Sequence, residues 1–296
     1  MNAADPTPGA VRIDGELLWA RTVLTDAGID SARADAEWLM AATLGVDRGR
    51  LLILDDIDPA AARRFRAAVS RRAARIPLQH IVGTASFGPA ELSVGPGVFT
   101  PRPETEFLVE WAMRHVPRDT DVRIVDLCSG SGALAIAIAT LAPNARMWAV
   151  ERSPEALEWL RRNVDDAPGD VSERVVVVAA DVTDASAVGA AIDPGSIDIV
   201  VTNPPYVPTT TEVSPEVAHD PAEAVFGGAD GMSVIVPMLP VIADLLRPGG
   251  VFGLEHDEST SVAVVSAAAG IAEITDVAAH DDLTGRPRFM TGRRRD

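Results

Sequence analysis

Arg123-Ile124-Val125-Asp126-Leu127-Cys128-Ser129-Gly130-Ser131-Gly132, running on into Ala133-Leu134-Ala135-Ile136-Ala137-Ile138-Ala139-Thr140-Leu141, is the stretch on which the fold turns. An apolar run, a turn of small residues and a second, longer apolar run read as strand, loop and helix of a βα unit. Gly130 and Gly132 carry no side chain and tolerate positive φ, so the turn lets backbone approach a ligand closely. Taken alone, the turn fits a ligand loop, a dinucleotide site included, or a tight turn without function equally well.

Downstream, apolar runs alternate with helical segments in the βαβα rhythm of a doubly wound parallel sheet. Strands are expected at 123–127, 146–151, 174–179, 197–202, 250–256, 273–277 and 286–290. Helices are expected between them, among others at 133–141, 154–164 and 233–246. The fold class is therefore α/β, a Rossmann-like sheet of seven strands. Upstream, residues 14–75 show helical periodicity without strand alternation. Gly28 and Gly45 act there as helix ends and Pro59 opens a further helix, which suggests a small bundle of four or so helices. Between 79 and 100 the pattern changes to two short alternating runs, HIVGTASF and AELSVGPGVF, split at Gly88-Pro89 as in a β-hairpin. The expected division is 1–75 helical, 76–100 a hairpin linker and 101–296 the α/β domain.

Bulk properties narrow the class. The 296 residues are 47% hydrophobic, enough for a sizeable core, and the net charge is -17 from 26 basic and 43 acidic residues. All 26 basic residues are arginine; 11 face 11 acids in residues 1–75, leaving 15 against 32 in the rest. So acidic a surface repels a phosphate backbone, and no direct nucleic-acid partner is expected. MNAADPTPGA reads as a loose start without the features of a secretory signal, and no run is long enough for a membrane span. The single cysteine, Cys128, leaves no internal disulfide or multi-thiolate metal site. A soluble, cytoplasmic and monomeric protein without a metal is the expectation.

Context sharpens the reading of the glycine turn. Glu151 ends the second strand 19 residues after Gly132, where a carboxylate can accept both ribose hydroxyls of an adenosine. The competing explanation is a surface acid paired with Arg152. Asp181, after the third strand, is placed to bind an adenine amino group, with Val182 lining the ring. The chain has no lysine and no G-x-x-x-x-G-K loop, so nucleoside triphosphate hydrolysis has no support. A sulfonium-bearing adenosine without phosphates, S-adenosyl-L-methionine, fits better than NAD.

The fourth strand, 197–202, ends in Asn203-Pro204-Pro205-Tyr206. Ligands of open α/β sheets bind beyond the carboxyl ends of the strands, so this tetrapeptide is expected to face the glycine loop across one crevice. An amide or aromatic amine nitrogen is a poor nucleophile with a delocalised lone pair, and catalysis must orient its two hydrogens. The Asn203 carboxamide oxygen can accept one N–H and the Pro204 carbonyl the other, with the two prolines fixing the backbone. Tyr206 offers a flat face to a planar group. A rigid turn after a strand is the alternative for the tetrapeptide in isolation.

With these residues in view, the chain from about Arg75 onward resembles the peptide chain release factor glutamine methyltransferases, the HemK/PrmC family. Besides the glycine loop and NPPY, the resemblance is carried by Arg75–Gly83 (RIPLQHIVG), Phe99–Glu106 (FTPRPETE), Ser153–Leu157 (SPEAL), Gly227–Gly231 (GGADG) and Leu246–Gly250 (LRPGG). It implies methylation of the side-chain nitrogen of the glutamine in the Gly-Gly-Gln loop of class I release factors, with S-adenosyl-L-homocysteine as product. By resemblance the cofactor residues would be Asp126, Cys128, Ser129, Gly130, Ser131, Gly132, Glu151, Asp181, Val182 and Asn203. The substrate glutamine would lie against Asn203, Pro204, Pro205 and Tyr206, near Phe99, Arg102 and Glu104. The family's small helical domain ahead of a hairpin agrees with the periodicity, and would dock the substrate. Cys128 and Ser129 depart from the family's usual Gly and Thr, and Glu151 from Asp.

Cys128 has no histidine nearby in sequence to activate it and reads as a loop residue. His219 and His256 are expected to be structural or solvent-facing. Arg63, Arg64, Arg66, Arg71, Arg72 and Arg75 read as a solvated helix face balancing Asp55, Asp56 and Asp58, with factor or RNA docking as the alternative. Competing functions are methylation of a ribosomal-protein glutamine, of an exocyclic base amine, or a non-catalytic adaptor.

Overall fold

A computed structural model describes residues 10–282 and 284–296; the expectation for the first nine residues lies outside the described residues. The chain forms two compact units. One contains the residues up to Gly83 together with Ser214–His219, and the other contains Thr84–Val213 and Asp220–Asp296. The division therefore falls between Gly83 and Thr84, the hairpin belongs to the second unit, and a six-residue segment from far downstream belongs to the first.

In the first unit a two-residue strand β1 (Val11–Arg12) precedes α1 (Ile13–Asp26) and α2 (Ala32–Leu44). A 3-10 turn (Arg48–Ile53), β2 (Asp56–Ile57), α3 (Pro59–Ala73) and α4 (Leu78–Val82) follow. Helical periodicity gives the helices, but the antiparallel β1–β2 ladder is too short to produce alternation. Asp58 starts α3 by accepting Ala60 N and Ala61 N, with Pro59 in the first turn. Leu24, Leu39, Met40 and Phe65 form the core of this unit. The first part of HIVGTASF, expected as strand, is helical instead. Gly83, at φ 89°, ends α4, and β3 begins only at Thr84.

The arginine cluster is not one solvated face. Arg72 is buried, its Nε donating to Asp35 at 2.7 Å and its Nη1 to Glu216 at 3.1 Å. Arg75 donates to the same Glu216 at 2.9 Å and to Gly28 O at 2.7 Å, while Arg66 pairs with Glu16. Composition and periodicity gave these arginines as one helix face but could not supply partners 37 to 144 residues away.

The second unit opens with the hairpin β3 (Thr84–Phe87) and β4 (Ala90–Ser93), then a 3-10 turn at Pro103–Thr105 leading into α5 (Glu106–His115). The sheet and helices follow as β5 (Val122–Leu127), α6 (Ala133–Leu141), β6 (Ala145–Glu151), α7 (Pro154–Asp165), α8 (Val171–Arg174), β7 (Val175–Ala179) and α9 (Ala185–Ala191). β8 (Ile197–Thr202), α10 (Ala222–Val225), α11 (Ile235–Leu245), β9 (Leu246–Glu255), α12 (Ser261–Ala269), β10 (Ile274–Asp281) and β11 (Pro287–Arg294) complete it. All seven expected strands are present, in the order β10-β11-β9-β8-β5-β6-β7. β7, β6, β5, β8 and β9 run parallel and β11 antiparallel.

Both faces of the sheet are covered, which is why the central strands read as near-continuous apolar runs rather than alternating ones. The helices α5, α6 and α7, with the hairpin, pack on one face around Ile124, Ile138 and Leu160; α9, α11 and α12 pack on the other around Val125, Leu239 and Phe252. The chain leaves β5 toward β6 and returns on its other side with β8, so the switch point lies between the carboxyl ends of β5 and β8. The glycine loop follows the first of these strands and NPPY the second.

Candidate active site

The loop after β5 is shaped by backbone conformation first. Cys128 (φ 60°) and Gly132 (φ 88°) are left-handed, a conformation that favours glycine, and a Cβ on Gly132 would meet Leu160 Cδ1 at 2.7 Å, so that α7 side chain would have to shift for any other residue. Gly132 is the N-cap of α6, and Asp126 Oδ2 accepts Ala135 N at 3.2 Å in its first turn, where a carboxylate complements the helix dipole. The other oxygen, Asp126 Oδ1, is buried and finds no partner among the described residues. Burial, with the nearby Glu151 charge, pushes the Asp126 carboxyl up to about 8. The same burial, reinforced by Glu151 and Asp126, pushes the Cys128 thiol up, so it is no thiolate nucleophile.

Glu151 is held by backbone. Its Oε2 accepts Gly130 N and its Oε1 accepts Arg152 N and Ser153 N, each at 2.8 Å. The Arg152 side chain does not pair with Glu151 but with Asp181, at 3.0 Å. Asp181 also accepts the amide and hydroxyl of Thr183; burial works against ionisation, but these donors keep the carboxyl below its ordinary value.

Asn203, at the end of β8, donates Nδ2 to Thr105 Oγ1 at 2.9 Å. Thr105 Oγ1 donates to Glu255 Oε2, and Tyr206 OH donates to Glu255 Oε1, both at 2.8 Å. Burial, with the charge on Glu255, pushes the Tyr206 phenol up, and burial pushes the Glu255 carboxyl up. Behind the motif, a Cβ on Gly231 would meet Tyr206 O at 2.3 Å, so the GGADG loop presses its backbone directly on NPPY. Asp220 accepts Thr100 N at 3.1 Å and pairs with Arg102, whose guanidinium lies 4.9 Å from the centre of the Phe99 ring.

One cleft, enclosing about 950 Å³ of space that includes open solvent, joins these groups. Its lining includes Phe99, Arg102, Asp126, Cys128, Ser129, Gly130, Ser131, Glu151, Asp181, Val182, Asn203 and Pro205. Gly132 lies behind the loop, Pro204 is buried, and Glu104 is exposed away from the lining while its neighbour Thr105 joins it. Tyr206 is outside the lining too: its ring packs on the α11 and α12 side of the core. His219 is exposed; His256 is buried, with Nδ1 on Asp257 O and burial lowering its pKa.

Sequence reasoning missed Thr105, Asp220 and Glu255. Thr105 sat inside the quoted FTPRPETE, but its partners are 98 and 150 residues away. Chemically, the cleft offers an orphaned carboxyl oxygen for a cationic group, carboxylates at two strand ends for polar ligand groups, and a fixed amide beside them. That set suits the amino-acid and adenosine ends of S-adenosyl-L-methionine. Among the described residues no cluster of His, Cys, Asp and Glu is suited to a metal ion.

Comparison with known proteins gives the same direction. Residues 17–83 match the family described as PrmC N-terminal domain, and residues 92–224 match the methyltransferase small domain. The chain is 53% identical over 277 residues to the release factor glutamine methyltransferase of Mycolicibacterium smegmatis, covering 93% of this chain and 95% of that one. It is 47% identical over 291 residues to the enzyme of the same name from Mycobacterium leprae, covering 97% and 98%. The namesake from Corynebacterium glutamicum is 46% identical over 276 residues, covering 93% and 96%. Identity of this extent spans both units, and the chain belongs to the release factor glutamine methyltransferase family.

Proposed function

We infer that this protein methylates the side-chain amide nitrogen of the glutamine in the Gly-Gly-Gln loop of class I release factors, using S-adenosyl-L-methionine. The observation that carries the reading is the single cleft bounded by the β5 loop, Glu151 and Asn203, in a chain whose close relatives bear that enzyme's name.

S-Adenosyl-L-methionine supplies an electrophilic methyl carbon on sulfonium and leaves as S-adenosyl-L-homocysteine. In this assignment Asp126 Oδ1 accepts from the cofactor's ammonium group, which favours the ionised carboxylate at the pH where burial alone keeps it protonated. Cys128, Ser129, Gly130, Ser131 and Gly132 form the backbone cradle. Glu151, already fixed by three amides, turns its remaining lone pairs to the ribose, while Asp181 and Val182 border the adenine. Asn203 Oδ1 and the Pro204 carbonyl accept the two N–H groups of the substrate amide and hold its nitrogen toward the methyl group, with Pro205, Phe99, Arg102 and Glu104 around it. Tyr206 steadies the turn through its hydroxyl. Orientation of this kind contributes on the order of 7 to 11 kcal/mol for well-aligned reactants. The proton departs from the methylated nitrogen after transfer, so no strong base is required.

The helical first unit serves in this reading as the docking domain for the factor and residues 101–296 as the transfer domain. No helix among the described residues is long and apolar enough to cross a membrane. A monomer working in the cytoplasm, where release factors act, and without direct nucleic-acid contact completes the reading. Transfer of labelled methyl to a purified release factor, beside its Gln→Ala loop variant, is the test. Label that requires the intact glutamine supports the assignment; label on RNA, DNA or a ribosomal protein instead would replace it.

A further inference from the structure

Glu255 closes β9, and its carboxylate is buried at 4% exposure without lining the cleft. Its hydrogen-bond partners are two neutral hydroxyls, Thr105 on Oε2 and Tyr206 on Oε1. Burying a carboxylate against two hydroxyls is a costly way to fill space, since a glutamine has the same shape without the charge. Burial opposes the charge, but both oxygens already accept hydroxyl protons and the nearby Arg288 charge favours ionisation, and an ionised carboxylate accepts hydrogen bonds and cannot donate them.

That property sets a direction. A hydroxyl has one proton, and with the Thr105 proton committed to Glu255, Thr105 Oγ1 can only accept from Asn203. The Asn203 carboxamide must then turn Nδ2 to Thr105, as it does at 2.9 Å, which leaves Oδ1 for the cleft that Asn203 lines. If the chain ran the other way, Asn203 would offer an NH2 to the substrate's own NH2, donor against donor. Burial of Thr105 at 4% exposure limits water as a substitute partner.

We propose that Glu255 and Thr105 are positioning residues for methyl transfer: the carboxylate fixes the polarity of a Glu255–Thr105–Asn203 chain so that Asn203 presents an acceptor to the substrate amide, while the same carboxylate anchors the Tyr206 hydroxyl. This rests on the glutamine-methylation reading and adds the groups that decide how its asparagine faces. Both act through Asn203: Glu255 lies outside the cleft lining, and Thr105, at its edge, has its hydroxyl committed to Glu255 and Asn203. The relay runs through the Thr105 hydroxyl, so Thr105→Val removes it at nearly constant shape and Thr105→Ser keeps it. Glu255→Gln retains shape but can donate to Thr105 and so permits the reversed chain.

The experiment measures kcat and KM for methyl transfer to a purified class I release factor with the full chain and these three variants. Affinity for S-adenosyl-L-homocysteine and the melting temperature are measured alongside. Glu255→Gln and Thr105→Val are expected to lower kcat on the order of 100-fold, with KM and S-adenosyl-L-homocysteine affinity within about threefold of the parent. Thr105→Ser is expected to stay within about fivefold of the parent kcat. Parent-like kcat in Thr105→Val, or a Thr105→Ser enzyme as slow as Thr105→Val, would overturn the relay even if Glu255→Gln failed to fold. A parent chain that methylates no release factor would overturn the functional reading instead, so the two failures are distinct.

Discussion

The two halves of the cleft are built by different means. In the half proposed to hold the cofactor, side chains are fixed by backbone amides: Glu151 by Arg152 N and Ser153 N, with Gly130 N 21 residues away, and Asp181 by Thr183 N. In the half proposed to hold the substrate, the fixing groups come from remote elements: Asn203 from Thr105 across 98 residues, Thr105 from Glu255 across 150, and Thr100 from Asp220 across 120. Backbone amides offer donors at positions that a strand–loop–helix turn dictates. A hydroxyl or a carboxylate has to be delivered by packing of separate segments. The first half should therefore respond to substitution mainly through cofactor affinity, and the second mainly through turnover.

The largest contrast is expected from Asn203→Ala. Loss of the acceptor for the substrate amide should reduce kcat about 1,000-fold, by analogy with removal of one preorganised hydrogen-bonding group, while affinity for S-adenosyl-L-homocysteine changes far less. Single-turnover methyl transfer and calorimetric binding separate the two; equal losses in both would erase the distinction between the halves. On the other side, Glu151→Ala leaves three backbone N–H groups without their carboxylate. Cofactor affinity is expected to fall about 100-fold, equivalent to roughly 3 kcal/mol, within the range for charged hydrogen bonds.

Asp126→Asn sharpens the comparison through pH. Because burial raises the Asp126 carboxyl to about 8, its contribution to stability is present below about pH 4, where the unfolded chain's carboxyl titrates. That contribution is lost as pH rises through about 8. Denaturant unfolding of the parent and of Asp126→Asn across pH 4 to 8 should diverge in that sense, the parent losing relative stability as pH rises. The same variant should weaken S-adenosyl-L-methionine binding by about 30-fold, roughly 2 kcal/mol, by deleting a charge-assisted acceptor. Calorimetry near pH 7 in buffers of different ionisation enthalpy should detect proton release on binding to the parent and none to the variant.

Smaller effects are expected at the edges. Asp220→Asn weakens the hold on Arg102 and Thr100 and should lower kcat/KM for the release factor about tenfold, about 1.4 kcal/mol, leaving cofactor affinity unchanged. Cys128→Gly relieves a left-handed non-glycine residue. Stability should rise by about 1 kcal/mol or less, read as a modest increase in Tm, with turnover preserved. A Cys128→Gly enzyme without activity would show that the thiol has a role that its raised pKa gives no reason to expect.

The seven strands, the glycine loop and the position of NPPY at a strand end were legible because each is local. Periodicity marks a strand or helix within a few residues, and small residues mark where backbone must turn or come close. The hairpin was legible for the same reason, whereas its lead-in was misread because the five residues of α4 are too few to show a helical period. The arginine cluster went astray differently: composition showed charge, and only packing showed that Arg72 and Arg75 converge on Glu216.

The amino-acid sequence by itself determined the doubly wound sheet, the helical first unit, the glycine loop and the placing of the NPPY tetrapeptide at a strand end, because these depend on local patterning. Tertiary structure alone decided that Thr105 rather than Glu104 enters the cleft, that Asp220 clamps Arg102, and that a buried Glu255 stands behind both Asn203 and Tyr206. The physical reason is that a hydrogen bond acts over about 3 Å in space, and nothing in the order of the chain records which distant residues the sheet and its helices bring within that distance.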